Sequence, residues 1–397
     1  MPVPSLYKDL FIFLVSRGFT VILSLVLFTL FTNRLNFVDG QKAAYFLFVL
    51  GFGTSAVRFL MQVSCAIEGH KKIRLNMPFI YRGISQSLIV HAFLLPVLAY
   101  VLFNHSQSWT LAFGSLLVVS ASGLDADILR STFGKSFLSP LYFGVGTVMA
   151  ILGVLILPQL TLESACWLTL AQWIPVALYN LAVYHRFWRR LYFDWDIKSL
   201  LNLLSLLFVG VFDGLVLNGA FLGLFVLSGH SALEMAGFMR IFSSSLPFLP
   251  LILHWSNNGT LSRWSSQFKV SVQVLFVALL SISGFFTASL LGSFFVFFSS
   301  WSLSVWVYLL LMPLIIAYSV YASTVRLEFQ NKSSAQKMRA LLAPFAIFVA
   351  CSVFLSSWFT AEPYRLSLLQ SGILLISGLM ISSHRLHAGP MGSPRIR

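Results

Sequence analysis

An all-α polytopic membrane fold is what this sequence predicts, and three observations carry it. Of 397 residues 58% are hydrophobic and 10% charged, with a mean hydropathy of +0.85. No water-soluble globule of this length carries so much apolar surface. The apolar residues fall into runs of about 20, the length a helix needs to cross the hydrocarbon core. The basic residues partition between alternate loops, as they do in chains that thread a bilayer repeatedly.

Twelve spans are expected in order: 10–32, 43–63, 84–103, 109–128, 137–158, 163–183, 199–228, 232–254, 270–292, 300–324, 341–359 and 365–383. The first comes directly after MPVPSLYKDL, with no small-residue cleavage site, so it is expected to be retained rather than removed as a signal peptide. The third and fourth spans are joined by FNHSQSW and the fifth and sixth by LPQLTLES, junctions tight enough to force hairpins. Between the sixth and seventh lies the basic, aromatic linker HRFWRRLYFDWDIK.

All but five of the 26 Lys and Arg lie at the N-terminus, in the loops after even-numbered spans, or in the tail, counting Arg58 at its helix end. The loops after odd spans hold only Arg34, Lys42 and Arg365, and the remaining two cations, Arg17 and Arg240, lie inside spans. The positive-inside rule then places both termini in the cytoplasm. The net charge of +14 is accounted for by this signal and by attraction to anionic membrane lipids, so no nucleic-acid partner is expected. The tail HRLHAGPMGSPRIR reads as a short, flexible cytoplasmic segment.

Six spans precede the linker and six come after it. An N-terminal six-helix lobe, residues 1–190, and a C-terminal six-helix lobe with a short tail, residues 191–397, are therefore expected as parallel pseudo-repeats, with a substrate site between them near the midplane. The turns VDGQKAAYF and SALEMAGFM occupy similar places in the two halves, with Tyr45 and Phe238 after them.

A charge inside a span is costly and marks protein or water as its neighbour. On the first span Arg17, Thr20 and Ser24 recur at i, i+3 and i+7; on the eighth, Arg240, Ser243, Ser244 and Pro247 form a comparable stripe. On the seventh, in GVFDGLVLNG, Asp213 shares a face with Gly210, Gly214 and Asn218. These stripes are expected to line one cavity, with Arg58 at its cytoplasmic mouth. By helical rise Asp213 and Arg240 share a depth of roughly 15–20 Å from the cytoplasmic edge. The blander reading is a buried ion pair, with the glycines as close-packing positions and the hydroxyls bonded to their own helices.

Cys65, Cys166 and Cys351 are odd in number and far apart, which argues against a disulfide framework, and the eight histidines show no metal-ligand spacing; no cofactor or metal is expected. Trp109, Trp167, Trp255 and Trp301 stand near span ends and read as interface anchors.

The segment FDGLVLNGAFLGLFVLSGHSALEMAGFMRIFSSSLPFLP resembles the seventh and eighth spans of Wzx-type polysaccharide flippases of the MATE/MOP exporter superfamily, with Asp213, Gly237, Phe238 and Arg240 at matching positions. FLVSRGFTVILSLVLFTLFTNRL is similar to the first span of that family around Arg17 and Gly18, and LRSTFGKSFLSP, around Arg130 and Lys135, to its loop after the fourth. Two departures stand out: Gly214 and Leu215 come after the aspartate where the family often has Arg or Lys, and the turn after span one lacks a Leu-Gly start.

The resemblance implies a flippase of the bacterial inner membrane that moves an undecaprenyl-diphosphate-linked oligosaccharide by alternating access. Its substrate-binding set would be Arg17, Arg58, Asp213, Asn218 and Arg240, and its partners membrane lipids and other polysaccharide-assembly proteins. Proton and sodium coupling, membrane potential and mass action all stay open. A diphosphate in a low-dielectric cavity needs fixed cations, which arginine supplies with planar bidentate donors. Asp213 is expected to hold Arg240 in the empty state and to release it when the diphosphate arrives.

Rival readings have discriminators. A drug or cation exporter of the same superfamily usually places a carboxylate in its first span, and span 10–32 holds none. A major-facilitator transporter would carry glycine and aspartate ahead of the basic loop, which VSCAIEGHKK lacks. A polyprenyl-linked glycan enzyme would want a large outer loop with acid and base groups, and the longest expected here is short, with Asp39 its sole carboxylate. The sequence reads as a transporter rather than an enzyme.

Overall fold

The computed structural model describes residues 4–36, 108–124, 138–188, 260–298, 305–328 and 364–387, with scattered positions in 38–54, 92–104, 126–127, 197–201, 248–255 and 342–350. Every regular element among them is helical: α1 Pro4–Arg34, α2 Trp109–Gly123, α3 Ser139–Ile156, α4 Leu162–Ala171, α5 Ile174–Trp188, α6 Thr260–Phe268, α7 Val272–Phe298, α8 Val305–Glu328 and α9 Tyr364–His387. Helices satisfy their backbone polar groups internally, which hydrocarbon demands. Phe11–Phe31, Ser139–Ile156, Leu162–His185 and Val272–Leu290 are long and apolar enough to cross a bilayer.

The surface is inside-out relative to a soluble protein. On α1, Phe11, Leu14, Val15, Phe19 and Ile22 are exposed, while Ser16, Thr20 and Ser24 are buried. An outer face of this kind suits lipid, and the all-α polytopic membrane fold expected from the sequence is the one observed.

α1 and α3 pack in parallel, because Thr20 meets Pro140 at one end and Arg34 meets Val154 and Leu157 at the other. The Arg34 guanidinium donates to the carbonyls of Val154 (2.8 Å) and Leu157 (3.0 Å), capping the C-terminus of α3 with a cation. Between these contacts Leu27, Phe31, Ala43, Ala150, Val154 and Ala165 form a shared core. A second core joins α2 to α4 through Leu111, Ala112, Val119, Cys166 and Leu170, with Phe46 and Leu50. Farther along the chain α8 packs on both α7 and α9.

The span expected over 163–183 lies within Leu162–His185, but a turn interrupts its helix. α4 ends at Ala171 and α5 begins at Ile174, with Gln172 and Trp173 in a turn where the Trp173 N–H donates to the Leu170 carbonyl. Pro175 has no N–H to offer the Ala171 carbonyl, so the α-helical ladder breaks there. Gly146 of α3 fits against the break: a Cβ on it would stand 2.7 Å from the Gln172 carbonyl carbon. Expectation also fails at Trp255, which is buried under Trp264 of α6 at 5.3 Å between rings rather than anchored at an open interface. Trp109 and Trp167 are exposed.

Candidate functional site

Of the five residues expected to bind substrate, Arg17 falls among the described residues; Arg58, Asp213, Asn218 and Arg240 lie outside them, as do Tyr45, Phe238, Arg130, Lys135 and Trp301. Arg17 is half-buried near the start of the α1 span. Helical spacing puts Phe13, one turn earlier, and Ser24, two turns later, on its face. Phe13 is buried with its ring 5.8 Å from that of Phe248, and α1 also touches α7. The α1 face that carries Arg17 thus meets the second half of the chain one helical turn away from the guanidinium-bearing residue.

Thr20 does not join it. Its hydroxyl is shared between the carbonyls of Ser16 (2.5 Å) and Pro140 (2.7 Å), and a Cβ added at Gly144 would stand 3.3 Å from it. Thr20 of the polar stripe on the first span is thus committed to α3, and Arg17 lies half-buried on the same helix.

A buried carboxylate that charge-spotting in the spans passed over is Asp127, 1% exposed at the end of the expected span 109–128. It accepts from the N–H of Leu138 (3.0 Å) and of Ser139 (2.8 Å), and from the Tyr179 hydroxyl (2.9 Å). Leu138, the N-cap of α3, makes no side-chain cap of its own, so Asp127 supplies the acceptor that the helix start lacks. The neighbouring helix end is closed from α5. Asn180 donates to the carbonyls of Ala121 (2.9 Å) and Ser122 (3.0 Å) and accepts from the Ala126 N–H (3.0 Å), while the Tyr184 hydroxyl donates to the Leu124 carbonyl (2.7 Å). The Tyr142 and Tyr179 rings stack at 4.6 Å beside this cluster. These bonds run to backbone ends and one phenol, which makes the cluster a clamp across α2, α3 and α5. The signal in the sequence was LDADIL, where two carboxylates, Asp125 and Asp127, stand at the end of an apolar run.

Among the described residues no group of three or more His, Cys, Asp or Glu stands ready to hold a metal. The geometry defines an all-α polytopic membrane protein whose first helix carries a half-buried arginine one turn from a contact with the later part of the chain.

That architecture has solved counterparts. A MATE in complex with Br-NRF matches with a TM-score of 0.57 at 11% identity, over 96% of this chain and 96% of that one. A MATE in complex with MaD3S matches at 0.55 and 13% identity, over 96% of each chain. The outward-facing conformation of a multidrug resistance MATE family transporter of the MOP superfamily matches at 0.51 and 11%, over 94% of this chain and 92% of that one. The chain has the fold of these transporters. No protein-family model and no curated protein sequence matches it.

Proposed function

We infer that the protein is a transporter of the bacterial inner membrane, with both termini cytoplasmic, that flips an undecaprenyl-diphosphate-linked oligosaccharide between leaflets by alternating access. The shared fold supports transport, and the resemblance of the seventh and eighth spans supports the lipid-linked glycan. The observation that carries the substrate class is Arg17: a permanent cation, half-buried on the α1 face that meets Phe248, in a span of 10–32 without a carboxylate. A cation exporter would have to bring a positive substrate past it, whereas a diphosphate gains charge-assisted hydrogen bonds from it. Asp213, Asn218 and Arg240 complete the head-group site from the later helices, with Arg58 at its mouth. The two lobes, 1–190 and 191–397, rock about that site.

Transport of a fluorescent polyprenyl-diphosphate oligosaccharide in proteoliposomes tests this. Arg17→Gln is expected to lower the rate about 10- to 100-fold, the value of one charged hydrogen-bonding group, with Arg17→Lys intermediate and folded protein unchanged. Loss of folded protein in step with transport would make Arg17 structural and end the site assignment. For the pair, Asp213→Asn, Arg240→Gln and the double substitution are compared: effects on transport that simply add rule out the exchange mechanism. The rival reading, export of a cationic drug, predicts that Arg17→Gln leaves drug efflux intact or raises it.

A further inference from the structure

α6 is nine residues long and too polar to cross a bilayer, yet it sits directly before a span. Leu261, Trp264 and Phe268 recur at i, i+3 and i+7 and form one apolar stripe. The protein covers that stripe only in part. Leu261 is fully buried, Trp264 is half-buried against Trp255, and Phe268 is 66% exposed. Opposite the stripe, Ser262, Arg263, Ser266 and Gln267 are all exposed.

The residues after Phe268 fix its surroundings. The Val270 N–H donates back to the Ser265 carbonyl (3.1 Å), and Lys269 between them adopts a left-handed φ of 52°. Glycine fits that conformation at lower cost, but a cation stands there instead. α7 begins at Val272, the first residue of a membrane span, and its outer face continues the apolar surface through the exposed Val274, Ile282 and Phe286. Phe268 and Val270 thus stand where the lipid-facing surface starts, with Arg263 and Lys269 at its rim. No Asp or Glu occurs anywhere from residue 235 to 327, so this part of the chain supplies no carboxylate to compete for them.

We propose that α6 is a lipid-docking helix: Phe268 and Val270 enter the acyl boundary while Arg263 and Lys269 bind the phosphates of anionic phospholipids. An acidic protein partner would satisfy the two cations but leave an aromatic side chain contiguous with the lipid-facing side of α7 without a place to go. A bilayer interface carrying anionic headgroups meets both at one depth. This inference concerns the membrane around the protein and stands whatever the cargo is.

The test uses the full chain in nanodiscs of phosphatidylcholine with increasing phosphatidylglycerol, reading amide hydrogen exchange over residues 260–270. Protection is expected to rise with phosphatidylglycerol. Each of Arg263→Gln and Lys269→Gly should weaken the apparent lipid affinity about fivefold, and the pair about 20- to 30-fold, the value of one and two cations near an anionic surface. Arg263→Lys should retain it. Lys269→Gly relieves the left-handed φ, so its loss of lipid response cannot be put down to unfolding if its thermal midpoint holds or rises. Phe268→Ser should lower protection equally in both lipids. Equal protection of the wild-type segment in both lipids overturns the proposal, as does a double variant that keeps the phosphatidylglycerol dependence.

Discussion

Among the described residues, the helices before residue 190 and those after 260 meet through different contacts, although hydroxyls in both groups also bond back on their own helices, as Ser115 does to Leu111. In the first group side chains reach across to the backbone of another helix: Thr20 to Pro140, Arg34 to Val154 and Leu157, Asp127 to Leu138 and Ser139, Asn180 to Ala121 and Ser122, Tyr184 to Leu124. In the second the hydroxyls turn back on their own helices, Ser319 to Ile315 and Ser377 to Ile373, and small residues bring backbones close. Gly378 of α9 lies against Val320 and Tyr321 of α8, and Ala317, Ser319, Ser323 and Ser377 are fully buried. Among the described residues there, Gln273 reaches Thr324 of a neighbouring helix at 3.3 Å. Where no water competes, a bond to another helix's carbonyl fixes register, whereas small-residue packing fixes distance and leaves sliding cheaper.

Asp127→Ala should break that contrast most severely. It removes the acceptor of two backbone N–H groups at a part-buried helix start, each worth about 1–3 kcal/mol when orphaned, so a loss of about 2–6 kcal/mol in thermal unfolding in detergent is expected. Asp127→Asn, which keeps one acceptor oxygen, should fall between. Gly146→Ala comes next. Its Cβ meets backbone at the α4–α5 break rather than a side-chain tip, and overpacking of that kind costs about 1–3 kcal/mol. At Gly153 an added Cβ meets the Leu168 side chain, which can turn away, so Gly153→Ala should be milder.

Thr20→Val keeps the shape of a side chain bonded across to α3 and should cost about 1 kcal/mol. Ser319→Ala removes a bond made within α8 and should stay within about 0.5 kcal/mol. The ordering of these last two is the sharpest check, read as the difference between their thermal midpoints. Equal costs would mean that cross-helix bonding does not distinguish the two groups.

Hydropathy and charge located the membrane helices well, because span length is imposed by the bilayer and not by packing: 10–32, 137–158 and 270–292 overlap α1, α3 and α7 almost throughout. The break at Gln172 and Trp173 escaped because averaging over 20 residues sees one apolar run, although Pro175 was there to be read. Asp127 escaped for a related reason, since a carboxylate at a span end reads as loop until its two backbone donors are known. Of the proposed site, Arg17 is the described residue, and the sequence shows it as a charge in an apolar run. The pairing of Phe13 with Phe248 was not legible, because no local pattern pairs residues so far apart in the chain.

That distance bears on how the protein is made. α1 emerges before α3, whose Pro140 lies 120 residues after Thr20, so the Thr20–Pro140 bond becomes available well before the contacts with the later helices. Phe248 and α7 arrive much later, and at about 5–20 residues per second the interval between Phe13 and Phe248 lasts on the order of 10 to 50 seconds. Throughout it Phe13 is in the membrane without the ring it finally meets, on a span that also carries the charge of Arg17, which is costly in bare hydrocarbon. Within that interval the Thr20–Pro140 and Arg34–Val154 bonds can already tie α1 to α3, so this pair can form before α1 meets the later part of the chain.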